Sequence, residues 1–358
     1  MHEDFAGFTN PKDLAVGPDG FLYVADGSWT SRTVIYRVDP SGESLPERVA
    51  GNPSGCQAVP VPDPNRGALE GPALDVCIGA FDLDFGPDGA LYFAERISDY
   101  PNQQDRWYLI RKLEFGASPA DGHISLVAGT VASGDCADGE YPEDVVDGPA
   151  RDNDAAGVTG VRICDPRGVA VAPDGAIYFL DGGGEGAVRK VTAEAPDDST
   201  GARVTLVATR AFFGGESHHG GFDIGLDGSL YVPGLEYWPA QNPPQGQIDH
   251  DFLTRLLPGS ARELFAGCIS GGSTCTSGGM GGPATEADLG SSVPHSISVA
   301  PGGQVYVPHE ENVVYSVDTL GTINRLVGGV AGTPTAHDDG LPARATPVGH
   351  APRGVIAP

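Results

Sequence analysis

His219 and His295 each stand just ahead of an alternating apolar segment, Gly221-Phe222-Asp223-Ile224 and Ser296-Ile297-Ser298-Val299. Neutral imidazole is a favoured zinc ligand, and two histidines at equivalent points of a repeat can meet at one ion. The equivalent points of the other copies carry Lys12 and Asp13, Asp82, Arg167 and Arg353, which is not a uniform ligand set. A second chemistry lies in the acidic stretch with Asp135, Asp138, Glu140, Glu143, Asp144, Asp147, Asp152 and Asp154. Such carboxylate density reads first as a solvated loop and, as the sharper alternative, as a site for a hard cation, calcium, although the spacing is not that of an EF-hand loop. A third candidate surface is aromatic: Tyr100 and Trp107 in one long insert, Tyr237 and Trp238 in another. Long loops carry function more often than the elements they join, and aromatic side chains favour binding, so these four are read as contacts for a protein or glycan partner. No Gly-x-Ser-x-Gly elbow, phosphate-binding loop or dinucleotide fingerprint is present.

The elements that must position these residues are set by a recurring phrase. It reads Gly17-Pro18-Asp19-Gly20-Phe21-Leu22-Tyr23, then Gly86 to Tyr92, Ala172 to Tyr178, Gly225 to Tyr231 and, in a worn copy, Ala300 to Tyr306. Asp-Gly supplies the positive φ of a tight two-residue turn, so each phrase marks a β-hairpin, and its aspartate is a turn residue rather than a catalytic one. Aligned outward, each copy gives an inner strand, a strand after the turn, a third strand with a basic or polar residue among apolar ones, and an outer strand ending near small residues. The third strands are Val34–Val38, Leu109–Leu113, Ala187–Val191, Leu253–Leu257 and Val313–Val317. Four short antiparallel strands per repeat, with no convincing helix, make a β-propeller blade whose faces are buried by its neighbours. The expectation is an all-β propeller of five complete blades, near residues 11–51, 79–129, 164–209, 219–267 and 293–329, in a single domain spanning 1–358. An orphan outer strand at 4–7 and an orphan inner strand at 352–358 read as a partial sixth blade, cut through in a piece of a longer protein. The alternative is a five-bladed ring whose end strands close the seam.

Composition narrows the partners. The net charge is −27, from 48 acidic and 21 basic residues, which argues against nucleic-acid binding and against anionic membranes. No apolar run is long enough to span a bilayer as a helix, and Met1-His2-Glu3-Asp4 is no signal peptide. The six cysteines fall into near pairs, Cys56 with Cys77, Cys136 with Cys164, and Cys268 with Cys275, each bracketing an inter-repeat loop. Local disulfides are the expectation, and with them an oxidising compartment, so the chain is read as extracellular or cell-surface.

The loops between copies carry a further motif: Gly282-Pro283-Ala284 ahead of Pro294-His295-Ser296-Ile297, with Glu70-Gly71-Pro72-Ala73, Asp147-Gly148-Pro149-Ala150 and Asp339-Gly340-Leu341-Pro342-Ala343 as relatives. This pattern resembles the NHL-repeat β-propellers, and in particular the NHL modules of bacterial teneurin-like and Rhs (YD-repeat) exported proteins. That resemblance implies a non-catalytic module for adhesion, docking or scaffolding, whose partners are other domains of the same parent chain and a protein or glycan. The segment 209–220 departs from it, having no Gly-Pro-Ala. Pro294-His295, and Asp26-Gly27 followed by Ser31-Arg32, resemble segments of the peptidylglycine amidating lyase propellers. The alternative they imply is a metal-dependent enzyme, a lyase or a lactone or ester hydrolase, with its site at the channel mouth.

Overall fold

The computed structural model describes residues 7–28, 32–53, 70–98, 106–130, 147–151, 160–164, 166–181, 185–192, 202–212, 221–233, 252–259, 261–267, 281–287, 289, 296–309 and 313–328. These residues form five antiparallel sheets of four or five strands, in a five-blade propeller arrangement without α-helix. Blade one is β1 (Pro11–Val16), β2 (Leu22–Ser28), β3 (Arg32–Val38) and β4 (Glu47–Ala50). Blade two is β5 (Gly71–Pro72), β6 (Ala80–Phe85), β7 (Leu91–Ser98), β8 (Arg106–Glu114) and β9 (His123–Ala128). Blade three is β10 (Gly148–Pro149), β11 (Gly168–Val171), β12 (Ile177–Asp181), β13 (Glu185–Thr192) and β14 (Arg203–Phe212). Blade four is β15 (Asp223–Ile224), β16 (Leu230–Pro233), β17 (Phe252–Leu256) and β18 (Arg262–Gly267). Blade five is β19 (Gly282–Pro283), β20 (Ser298–Val299), β21 (Val305–His309), β22 (Val313–Val317) and β23 (Thr322–Gly328). The described residues contain no sixth blade, and the end segments assigned to one, 4–7 and 352–358, lie outside them but for Gly7. By Cα packing the chain divides into two compact units. One is Met1–Gly183 with Ala187–Val207 and holds blades one and two and most of blade three; the other is Gly184–Gly186 with Ala208–Pro358 and holds the remainder of blade three with blades four and five.

The repeated phrase forms hairpins, but of a different kind from the two-residue turn its Asp-Gly suggests. Gly17 N–H bonds Phe21 O at 2.8 Å, Gly20 N–H bonds Gly17 O at 2.9 Å, and Gly20 has φ +78°. The loop therefore has three residues: a type I turn with Pro18 at its first central position, then a left-handed glycine. The same pair of bonds closes all five hairpins, at Gly86, Ala172, Gly225 and Ala300 as at Gly17. The turn aspartates accept the N–H two residues on, at Phe21, Ala90, Ala176 and Ser229, which confirms their structural part. Blade four keeps the register of the other blades, but its third strand is not where the sequence suggests. Leu256, not Leu257, pairs with Leu230, so the residue opposite Val232 is Thr254, and Arg255 lies opposite Tyr231. The third strand of this blade is therefore Phe252–Leu256, one residue earlier than the sequence suggests, because apolar residues at both ends fit either frame.

Period-two alternation sends each strand's side chains to two different neighbours. In blade two, Leu83, Leu91 and Phe93 pack with Ala15, Tyr23 and Ile35 of blade one. Phe81, Tyr92 and Ala94 pack with Val169 and Phe179 of blade three. In the second unit, Tyr231 and Leu253 of blade four join Val305, Val307 and Val317 of blade five. The Gly-Pro-Ala motif stitches these faces at the outer rim. Gly-Pro adds a two-residue strand outside β9, β14 and β23, making those sheets five-stranded. The following alanine is buried, and its N–H bonds Gly122 O, Ala202 O or Gly321 O at 2.7–2.8 Å. Its carbonyl accepts Gly51 N–H or Gly129 N–H from the end of the preceding blade's outer strand, at Ala73 and Ala150. Blade four, whose preceding loop has no Gly-Pro-Ala, stays four-stranded.

The inner edge is held by carboxylates. Asp13 of β1 accepts Leu83 N–H of β6 at 2.8 Å. Asp82 and Asp84 of β6 accept Val169 and Val171 N–H of β11 at 2.7 and 2.6 Å. Asp223 of β15 accepts Val299 N–H of β20 at 2.7 Å. Each bond joins one blade's innermost strand to the backbone of the next. Replacing Asp82 by alanine strands the Val169 amide in a buried place and should cost about 1–3 kcal/mol, while Asp82→Asn, which keeps an acceptor, should cost less. Equilibrium urea unfolding of the two variants against the parent chain checks this, and equal midpoints for all three would contradict it.

Candidate functional site

The charged residues at the strand ends form a second repeated device. Glu95 on β7 and Arg111 on β8 are fully buried and make a close ion pair, with Arg111 Nη2 bonding Glu95 Oε2 at 2.6 Å. Arg111 also bonds Cys77 O at 2.8 Å, and Glu95 accepts Gly79 N–H at 3.1 Å, so the pair holds the segment leading into β6. Blade three repeats this with Asp181 and Arg189 at 2.6 Å, Arg162 O at 2.9 Å and Cys164 N–H at 2.5 Å. Both guanidinium groups lie over a phenyl ring, Phe93 and Phe179, at 5.6 Å. In blade one the corresponding acid acts on backbone directly. Asp26 accepts Thr9 N–H, Thr9 O–H and Asn10 N–H at 2.6–3.0 Å. Burial pushes the Glu95 carboxyl up, against the opposing charge of Arg111. Asp26, the acid of the lyase-like segment, is thus engaged with backbone, as are Glu95 and Asp181.

Asp223 stands apart electrostatically. Its surface is partly accessible, yet protein atoms crowd it, and this desolvation pushes its pKa up to about 6 despite amide bonds from Val299 and Ile224. A folded-state value above the ordinary carboxylate range means the fold binds this proton more tightly than the unfolded chain does.

Between the hairpins of blades four and five lies an open cleft of about 510 Å³. One wall is Tyr231, packed edge-on to Phe265 with ring centroids 4.8 Å apart. Asp227 and Arg255 bound it on blade four, with Arg255 bonding Asp227 at 2.5 Å and Glu263 at 3.1 Å. Val299, Asp318 and Thr319 bound it on blade five, and Leu226 and Leu320, 69% and 89% exposed, form its lips. In blades one and two the turn tyrosines donate to their turn aspartates, Tyr23 to Asp19 at 3.1 Å and Tyr92 to Asp88 at 2.9 Å. In blade four Asp227 is taken by Ser229 and Arg255, and the Tyr231 hydroxyl has no hydrogen-bond partner among the described residues.

The sequence candidates fall largely elsewhere. His219, His295, Tyr100, Tyr237, Trp238 and Arg353 lie outside the described residues. Trp107 lies on β8 opposite Ile97, where only its backbone is described. Of the channel-mouth residues, Asp13 and Asp82 are brought to the blade junctions as clasps, Lys12 is buried, and Arg167 gives its backbone N–H to Leu180 O. Of the acidic stretch, Asp147 accepts Leu206 N–H at 2.7 Å at the outer edge of blade three, as Glu70 accepts Leu126 N–H in blade two. Among the described residues no group of three or more His, Cys, Asp or Glu side chains is placed to hold a metal ion. No bridge joins two described cysteines. Cys77 and Cys164 are nonetheless not free thiols, and Cys56, Cys136, Cys268 and Cys275 lie outside the described residues. The inner clasps, the buried ion pairs and the cleft are what sequence reasoning missed. Of these, the ion pairs leave half a signal, in the arginines that interrupt the apolar residues of β8 and β13, and the clasps leave none.

No protein-family model matches the chain, and no curated protein matches it. Solved structures do. A PQQ-bound aldose sugar dehydrogenase from Streptomyces coelicolor is 15% identical over 90% of this chain and 83% of its own, with a TM-score of 0.43. A protein provisionally named a gluconolactonase is 14% identical over 86% and 72%, with a TM-score of 0.41. An auxiliary nutrient binding protein from Bacteroides ovatus is 12% identical over 98% and 64%, with a TM-score of 0.47. At such values no function follows, and the propeller assignment rests on the strand topology itself.

Two outcomes are expected at these sites. Arg111→Met leaves Glu95 buried without its partner and should destabilise the chain by about 3–5 kcal/mol, whereas the double replacement Glu95→Met with Arg111→Met should recover most of that loss; denaturant titration of both variants measures it. For Asp223, the stabilising share of protonation is full below about pH 4 and lost as pH rises through about 6. The parent's melting temperature should therefore fall more steeply across that window than that of Asp223→Asn, and parallel profiles would contradict the assignment.

Proposed function

We propose that this chain is a non-catalytic propeller module that binds a protein or glycan partner, within a larger exported protein of the NHL-containing teneurin-like or Rhs kind. One observation carries the reading. The inner-strand and strand-end acids Asp13, Asp82, Asp84, Glu95 and Asp181 accept backbone amides or pair with arginine, as structural residues do, while the cleft between blades four and five is open and lined by aromatic and aliphatic groups beside Asp227, Arg255 and Asp318. The pairings Cys56–Cys77, Cys136–Cys164 and Cys268–Cys275 are part of the same proposal, supported by the state of Cys77 and Cys164, and they would put the module outside the cytoplasm. Calcium in the 135–154 stretch would fit the module as a peripheral structural ion.

One feature favours a second reading, a lactone or ester hydrolase. Asp223 sits on an inner strand with a pKa near 6, where a carboxylate serves as a general base close to neutral pH. Metal analysis of the purified protein, together with turnover of simple δ-lactones and aryl esters, separates the two. The module reading expects no stoichiometric zinc and no turnover that Asp223→Asn abolishes; its partner-binding survives that substitution. Stoichiometric zinc lost on replacing His219 and His295, or lactone hydrolysis lost in Asp223→Asn at unchanged stability, would overturn it. Peptide mapping without reduction should recover the three local cystine pairs, and any other connectivity removes that support for export.

A further inference from the structure

One blade junction supplies a reference for the cleft between blades four and five: at the inner-strand position held elsewhere by Val16, Val171, Ile224 and Val299, blade two carries Phe85. Aligned by register, Phe85 of β6 and Val299 of β20 are equivalent, since each pairs with the first strand residue after its turn, Leu91 and Val305. Phe115 and Thr319 are equivalent too, each two residues past the partner of that position, Leu113 and Val317. Between blades one and two the two phenylalanines fill the space beside Tyr23. Phe85 meets it edge-on at 4.9 Å, Phe115 lies at 5.2 Å, and the two phenyl rings stack at 6.0 Å. Between blades four and five the equivalent tyrosine, Tyr231, packs edge-on to Phe265 and has Val299 and Thr319 in place of the two phenylalanines, and there the cleft of about 510 Å³ opens.

From this we propose that the cleft is a docking site for an aromatic side chain on a basic segment of a partner polypeptide, which rests on the reading of the chain as a binding module. The fold demonstrates the shape: phenyl rings occupy the equivalent space between blades one and two. Aromatic contacts of this kind contribute beyond the area they bury, and aromatic residues are the usual anchors of protein interfaces. Tyr231 is only 6% exposed, and its hydroxyl, like that of Tyr178 in blade three, is not engaged by the turn aspartate as Tyr23 and Tyr92 are. The lips, Leu226 and Leu320, are exposed aliphatic side chains on either side. Charge selects the flanks. Among the described residues of the rim, Asp227 and Asp318 stand against one cation, Arg255, which is already shared between Asp227 and Glu263, and the whole chain carries −27. A segment with lysine or arginine beside its aromatic residue is steered to such a rim, and an acidic one is repelled.

The test uses the full chain and the tripeptide acetyl-Lys-Phe-Lys-amide, with acetyl-Lys-Ala-Lys-amide and methyl glucoside as comparisons, followed by saturation-transfer and chemical-shift NMR. The phenylalanine peptide should bind weakly and at least about tenfold more tightly than the alanine peptide. The double variant Val299→Phe with Thr319→Phe rebuilds the plug found between blades one and two; it should keep or raise the melting temperature and abolish the difference between the peptides. Should that variant fail to fold, Leu226→Ser with Leu320→Ser alters only exposed lips and should weaken the phenylalanine peptide several-fold. Equal binding of both peptides, binding that survives the plug or the lip variant, or binding of the glucoside alone overturns the proposal. Failure here leaves the module reading to the metal and turnover measurements, which do not involve the cleft.

Discussion

The innermost strand of each blade pairs on one side only, and its other edge presents amide groups that need acceptors. Everything else in the architecture depends on how those amides are satisfied. A short strand such as β11 or β20 cannot recruit another strand there, since the neighbouring blade meets it face-on rather than edge-on. The chain instead spends aspartates, placed at alternate positions of the preceding blade's inner strand so that their carboxylates reach across. A charge-assisted bond to an amide is stronger than a neutral one, and the acceptor has lone pairs left for a local amide, as Asp84 and Asp223 show with Phe85 and Ile224. Part of the acidic excess is therefore structural. Blade three carries Gly168 and Ala170 where blade two has Asp82 and Asp84.

At the outer rim the same need is met by backbone. The Gly-Pro pair gives the outer strand a partner for two residues, the alanine after it threads between blades, and an acid before it accepts one more amide at Leu126 and Leu206. Alanine is required there by space: Ala73, Ala150 and Ala284 are buried, and a longer side chain would press on the faces that they join. Carboxylates inside and a backbone stitch outside leave the apolar side chains between blades to supply the bulk of the burial.

How much of this is legible in the sequence follows from where each partner lies. The hairpins, the four-strand unit and the odd loop at 209–220 all leave local marks, because glycine, proline and aspartate at fixed offsets suit little besides turns. The turn type is harder to read: Asp-Gly alone suits a two-residue loop, while the bond from Gly20 to Gly17 needs the proline to be counted as well. The third strand of blade four sits one residue off its expected frame because Phe252 and Leu257 are both apolar, so hydrophobicity does not choose between the frames. The clasps are invisible for a deeper reason. The partner of Asp82 is the backbone amide of Val169, and a backbone amide has no residue type to recognise. The buried pair of Glu95 with Arg111 is half legible. The arginine stands out as a polar interruption of β8, but nothing in sequence distinguishes a buried guanidinium from a solvated one until its acid and the Cys77 carbonyl are seen beside it.

Repetition also gives a way of separating structural from functional residues that a single fold does not offer. A device present in several blades, such as the turn aspartate or the Gly-Pro-Ala stitch, answers a need that every blade has. A departure confined to one blade answers something else, or costs stability for nothing. By that standard the strand-end acids belong to the scaffold, since blades one, two and three all use them on nearby backbone. The two phenyl rings beside Tyr23 belong to the second kind, since Val16, Val171, Ile224 and Val299 hold the register position of Phe85 in the other blades. Val299 is thus the ordinary residue at its position, and Tyr231 draws its aromatic contact from Phe265 of its own blade, yet the space beside the pair stays open as a cleft. What sets the fourth and fifth blades apart is the cleft itself, with two exposed leucines at its lips, a place where another molecule would supply the ring.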